Sequence, residues 1–146
     1  MKKQLTTLFF LIIVFSANAQ SAEIFATKDG AINGYDPIAY FKEGKAVKGK
    51  KEFSTTWSGV QWLFSSEQNL TAFKSNPEKF APQYGGYCAY GASEGHLSPT
   101  QPDAFTIVND KLYLNYNKDV KVEWNKNQQE RIQQADQNWP QLKNQK

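Results

Sequence analysis

The chain has 146 residues, with 17 basic against 14 acidic side chains, one cysteine and one histidine. That length allows about one ordinary domain with a real core. Dispersed, nearly balanced charge excludes the basic footprint of a nucleic-acid binder, and a lone cysteine excludes an internal disulfide.

The first segment reads as an address. Met1-Lys2-Lys3, an apolar run over residues 8–15 and then Ser16-Ala17-Asn18-Ala19 have the parts of a secretory signal peptide. The run is shorter than the roughly 20 apolar residues a membrane span needs. We therefore expect a signal peptide at 1–19 and a soluble mature chain at 20–146, periplasmic or secreted. No cysteine stands near the junction to accept a lipid, so no membrane anchor is expected after cleavage. Without Lys2 and Lys3 the balance is 15 basic to 14 acidic, and the mature chain has no methionine.

Residues 23–26 suggest a short strand and Lys28-Asp29-Gly30 a turn. Asp36 followed by Pro37 predicts an N-cap and a first helical residue, opening a short helix with Ile38, Tyr40 and Phe41. Residues 51–57 and 60–64 carry aromatic and β-branched side chains on either side of Ser58-Gly59, a hairpin signature. Ser65 with Gln68 fits a capping box, opening a helix through Leu70 and Phe73 that ends near Ser75. Asn76-Pro77-Glu78 restarts a helix carrying Phe80 and reaching toward Tyr84, until Gly85-Gly86 breaks it. Residues 98–103 form a loop, and residues 105–108 and 111–115 flank Asn109-Asp110 as a second hairpin. From 117 onward Val120, Trp124, Ile132, Ala135 and Trp139 recur at helical spacings, with a break near 125–127 giving two helices and Pro140 closing the tail. The four tryptophans read as core. These elements make one α+β domain of small antiparallel hairpins, short helices and a C-terminal helical segment.

Several blocks together resemble a known family. Tyr35-Asp36-Pro37-Ile38-Ala39-Tyr40-Phe41, Trp62-Leu63-Phe64-Ser65-Ser66, Asn76-Pro77-Glu78-Lys79-Phe80 and Tyr84-Gly85-Gly86-Tyr87-Cys88-Ala89-Tyr90-Gly91 resemble the exported YHS domain proteins. Pro102-Asp103-Ala104-Phe105, Lys111-Leu112-Tyr113-Leu114-Asn115-Tyr116 and Asn138-Trp139-Pro140 continue the resemblance over roughly 35–140. It implies a YHS-type domain with its core at 35–116 and helices at 117–140, akin to the treble-clef modules called TRASH. That kinship implies heavy-metal binding through three cysteines. Here their positions fall on Ala39, Ser65 and Asn69, so the resemblance implies the fold without those ligands.

Chemistry concentrates in residues 83–91, which hold the lone Cys88 and three of the seven tyrosines, with His96 five residues on. Cys88 has three readings. It is a small buried residue packed among aromatics. It is a soft-metal ligand beside His96, suited to Cu(I), and a homodimer would double the donors; a closed zinc site wants four. Or it is a nucleophilic thiol with His96 as base and Asp103 or Asn109 orienting it. His96, in a polar loop, reads equally as a solvated side chain. Tyr84, Tyr87 and Tyr90 line the core or a small-molecule pocket. The expectation is a non-catalytic exported binding module that takes a metal ion, copper first through Cys88 and His96. Its alternative is an accessory protein binding an organic ligand or partner chain in the tyrosine-rich region, and a thiol enzyme comes third.

Overall fold

The computed structural model describes residues 23–145, so the expected signal peptide lies outside the described residues. Three two-stranded antiparallel hairpins and six α-helices alternate along the chain among those residues. This is the α+β architecture of hairpins, short helices and a longer C-terminal helical segment read from the sequence. Strands β1 (Ala26–Thr27) and β2 (Gly30–Ala31) close the Lys28-Asp29 turn, somewhat later than the expected 23–26 strand. Helix α1 (Pro37–Lys42) opens as expected, with Asp36 Oδ1 accepting from the N–H groups of Ile38 and Ala39.

Hairpin β3 (Lys50–Trp57) and β4 (Val60–Phe64) turns through Ser58 at φ 50° and Gly59 at φ 73°. The second, β5 (Phe105–Val108) and β6 (Lys111–Leu114), turns through Asn109 at φ 50° and Asp110 at φ 60°. Both two-residue turns have two left-handed centres, whose twist matches that of the paired strands.

Three helix boundaries also differ from the sequence reading. Helix α2 (Glu67–Ser75) is capped by Ser66, whose hydroxyl accepts from the Asn69 N–H, because Ser65 is engaged elsewhere. Helix α3 (Pro77–Phe80) stops well before Tyr84, since Pro82 holds Ala81 extended at ψ 141°. The tail divides at Asn127 into α5 (Lys118–Lys126) and α6 (Gln128–Leu142), and Pro140 does not close it. Its ring is exposed, the helix continues with the Lys143 N–H donating to the Trp139 carbonyl, and buried Leu142 anchors the last turn. One helix was missed altogether: α4 (Ala89–Ser93), which begins at Cys88.

Two apolar clusters make the core. The first gathers Ile32, Ile38, Tyr40, Trp62, Phe64 and Phe73, and the second Tyr84, Ala92, Tyr113, Trp124 and Ala135. Strand β6 serves both, because alternate side chains point to opposite faces: Leu112 and Leu114 enter the first and Tyr113 the second.

The turn before Cys88 is one of two tightly constrained stretches of backbone, the other being residues 32–34, which are also left-handed throughout. Tyr84 (φ 55°), Gly85 (φ 61°) and Gly86 (φ 86°) are consecutively left-handed. At Gly85 a Cβ would collide with the Glu23 carbonyl oxygen, and the Gly85 carbonyl accepts from the Phe25 N–H at 2.9 Å. Substitution Gly85→Ala is expected to cost roughly 1–3 kcal/mol from backbone strain alone and to release the 23–25 segment. A chemical-denaturation midpoint equal to wild type would refute this.

Candidate functional site

Residues 83–91 are held from two sides. Thr100 Oγ1 donates to the Gly86 carbonyl at 2.7 Å, and the Cys88 N–H donates to the Ser98 carbonyl at 3.0 Å. From the other side, α6 reaches the same stretch. Arg131, the chain's one arginine, lies 4.0 Å from the centre of the Tyr90 ring. It donates to the Tyr90 hydroxyl and Ser93 Oγ and pairs with Glu94. Asn138 Nδ2 donates to the carbonyls of Ala92 and Ser93 at the end of α4.

Cys88 is 2 % exposed, and its thiol occupies the place a serine hydroxyl takes at a helix start. Sγ accepts from the N–H groups of Gly91 at 3.4 Å and Tyr116 at 3.3 Å, and donates to Asn115 Oδ1 at 3.5 Å. Burial pushes the thiol above its ordinary value, outweighing the backbone N–H groups that favour the thiolate. His96 is exposed and makes no hydrogen bond to the thiol. Its Nε2 would nonetheless lie 3.2 Å from a Cβ placed on Gly91, so the ring covers the bare side of that glycine. Of the groups considered as orienting partners, Asp103 pairs with Lys118 and Asn109 sits in the β5–β6 turn.

The three tyrosines face three neighbourhoods. Tyr84 is buried in the second core and donates to Asp136 Oδ1 at 2.9 Å. Tyr87 packs its ring 5.6 Å from Phe25, and Tyr90 lies beneath Arg131. Tyr84 also lines an open cleft of about 380 Å³, whose walls include Trp57 from β3 and Trp139 from α6. Trp62 and Trp124 are fully buried core residues, whereas Trp57 and Trp139 are half-buried and reach this cleft. The sequence reading placed all four tryptophans in the core. It had no signal for the cleft, since its walls come together only through the packing of α6 on the Tyr84 turn.

A second constellation forms around Asp36, which is fully buried. Its Oδ1 accepts from Ile38 N–H at 2.8 Å and Ala39 N–H at 3.3 Å. Its Oδ2 accepts from Ser65 N–H at 2.8 Å, Ser65 Oγ at 2.8 Å and Asn69 Nδ2 at 2.7 Å. The amide of Asn69 donates further to Ser65 Oγ at 3.3 Å, and its oxygen accepts from Lys42 Nζ at 3.5 Å. One carboxylate thus joins the start of α1, the end of β4 and the first turn of α2.

Residues 38–84 match the family model of the YHS domain. The YHS match spans α1 through α3 and ends at Tyr84, so Cys88 and His96 fall outside it. It is narrower than the resemblance over 35–140 drawn from the sequence motifs. No characterised protein and no solved structure gave a significant match to the chain. YHS domains are linked to metal binding, but the residues at the expected ligand positions do not fit a metal here. Ala39 has no donor side chain, and the oxygens that Ser65 and Asn69 would offer already accept hydrogen bonds, Ser65 Oγ from Asn69 Nδ2 and Asn69 Oδ1 from Lys42 Nζ. Among the described residues no group of three or more His, Cys, Asp or Glu side chains could hold a metal ion.

Replacing Asp36 by Ala should cost on the order of 3 kcal/mol or more, because it strands buried donors of Ser65, Asn69, Ile38 and Ala39. Asp36→Asn should also destabilise, since its amide hydrogens would face donors. A chelator should leave the melting temperature of the wild type unchanged; a large drop would show that a metal, not the carboxylate, joins α1 to α2.

For Cys88, alkylation in the native protein should be far slower than that of a free thiol, and Cys88→Ser should keep the fold. Buried Cys88, Tyr40 and Tyr84 all have raised values, so the fold favours their neutral forms. Their stabilisation is complete below the ordinary thiol and phenol values, 9.0 and 10.0, and is lost as pH rises through the higher folded values. Urea midpoints measured across the alkaline range should fall accordingly. The part due to the thiol should vanish in Cys88→Ser.

Proposed function

We propose that this chain is an exported, non-catalytic binding module of the YHS type. It takes a small organic ligand in the cleft floored by Tyr84 and walled by Trp57 and Trp139. One observation carries this reading: aromatic side chains from three separate parts of the chain border a single open cleft of about 380 Å³. The cleft adds polar groups from Glu23, Ser58, Glu78 and Gln83 to those rings, and such polar groups are what orient a small molecule in its site. Non-catalytic action is supported by the thiol, which is buried, hydrogen-bonded to backbone and held neutral with no base against it.

A second reading, soft-metal binding with Cu(I) held by Cys88 and His96, has a specific observation in its favour. Gly91 carries the thiol's N–H partner on one side and the imidazole on the other, so the two donors flank one residue. Copper uptake would have to displace the hydrogen bonds around Sγ, and a pairing of two copies would complete the donor set.

The readings separate experimentally. A fragment screen read by thermal shift should give hits that stabilise the wild type and lose their effect in Gln83→Trp, which fills the cleft from a half-buried position. Hits unaffected by that substitution would place the ligand elsewhere. Anaerobic Cu(I) titration against a chromogenic chelator should show no competition. One copper per chain or per dimer, lost in Cys88→Ser, would overturn the cleft reading in favour of the metal.

A further inference from the structure

We infer that the protein pairs with a second copy of itself along β5, the two strands running antiparallel about a two-fold axis at Thr106. The sheet is open on that side. Among the described residues β5 pairs with β6 and with no other strand. Val108 and Lys111 flank a two-residue turn and form a hydrogen-bonded pair, and so do Thr106 and Tyr113, two residues further from the turn. The N–H and C=O groups of Phe105 and Ile107 therefore point away from β6, and no backbone partner meets them among the described residues. Ile107 is also 36 % exposed, one of three large apolar side chains left facing water there.

The two larger hairpins treat their free edges differently. Strand β3 carries Lys50, Lys51 and Glu52, and its register on β4 shifts between Lys50 and Ser54. Lysines and bulges are the ordinary devices that keep an edge strand from pairing. Strand β5 has neither: Phe105-Thr106-Ile107-Val108 runs in continuous register without a charge or a proline. Lys121 of α5 reaches its ring, with Nζ 5.4 Å from the centre of Phe105, and a flexible lysine stem can swing aside.

The occupant is a second copy because the edge is complementary to itself, as a two-fold interface requires. An axis at Thr106 sets Phe105 opposite Ile107 of the second copy, which hydrogen-bonds the bare backbone groups of both and covers the isoleucine. It also sets Thr106 against Thr106. Thr106 Oγ1 is a buried hydroxyl with no hydrogen-bond partner, although the residue itself is only partly buried. Opposed threonines in a non-hydrogen-bonded pair stand close enough to join their hydroxyls after a turn about χ1. Charge agrees at the strand ends. Asp103 comes opposite Asn109 and Asp110 opposite Pro102, so no like charges are opposed. Asp110, which has no ion-pair partner among the described residues, arrives beside Asp103 and the Lys118 paired with it. Two hairpins, each marginal as a sheet by itself, become one four-stranded sheet.

Sedimentation equilibrium of the purified protein over a concentration series tests the pairing. The wild type should behave as a reversible monomer–dimer mixture, and Ile107→Lys should stay monomeric throughout, since a lysine there blocks the edge. At dilutions where both are monomers their melting temperatures should agree, which confirms that the variant folds. Cross-linking then tests the register, in a Cys88→Ser background that leaves no other thiol. Thr106→Cys should form an interchain disulfide on mild oxidation, because directly opposed residues of a non-hydrogen-bonded pair have the close Cα spacing a disulfide needs. Ile107→Cys, displaced from its own copy along the strand, should not. A wild type that remains monomeric at its highest soluble concentration overturns the inference. So does a dimer that Ile107→Lys leaves intact, which would place the contact elsewhere, or a cross-link at position 107 in preference to 106, which would move the axis.

Discussion

The Asp36 carboxylate is the point on which the first half of the molecule depends. A charge taken wholly out of water is tolerated only when its oxygens are hydrogen-bonded. Here five hydrogen bonds reach it from α1, from Ser65 and from Asn69. None of these contributors is optional, because each donor is itself buried or partly buried and would lose its partner. The network does for this chain what a bound metal does in small domains: it ties segments distant in sequence to one atom group. It does so with groups that need neither a reduced thiol nor a supply of metal, which suits a chain with a single cysteine.

The second half depends on α6. Its residues Arg131, Ala135, Asp136, Asn138 and Trp139 meet Tyr90, Ser93, Tyr84 and the end of α4. Short helix α4 and the left-handed turn before it have few means of holding themselves. The long helix supplies the partners: a cation against an aromatic ring, an amide on the last carbonyls, a carboxylate on a phenol. The cleft at Tyr84 is a by-product of this docking, since Trp139 arrives with α6 and Trp57 with the first hairpin.

Hairpins were legible because their turns carry residues that accept left-handed backbone, Ser58-Gly59 and Asn109-Asp110. The opening of α1 was legible because the Asp-Pro pair specifies a cap locally. What could not be read was anything depending on a second partner far along the chain. One oxygen of Asp36 caps its own helix, which sequence shows; the other binds Ser65 and Asn69, 29 and 33 residues away, which it does not. That second role also displaced the cap of α2 from Ser65 to Ser66. Helix α4 was missed because a cysteine stands where a serine or threonine would announce a helix. Cys88 and His96 are near neighbours in sequence, yet only the packing reveals that the Gly91 backbone bonds the thiol while the imidazole covers its bare side.

Strand β6 gives the molecule its unity in a way that bears on where the domain ends. The stretch that matches the YHS family, 38–84, leaves its own apolar centre unfinished. Leu112 and Leu114, which complete that centre, come from a strand nearly thirty residues further on, and the intervening Tyr113 belongs to the other cluster. Pulling on either cluster therefore pulls on the same four-residue strand. A fragment cut at the family boundary would expose Trp62, Phe64 and Phe73 along the surface Leu112 and Leu114 normally cover, and behave as a sticky, incompletely collapsed chain. The stretch matched by the family model and the apolar centre it helps to build are thus of different lengths here.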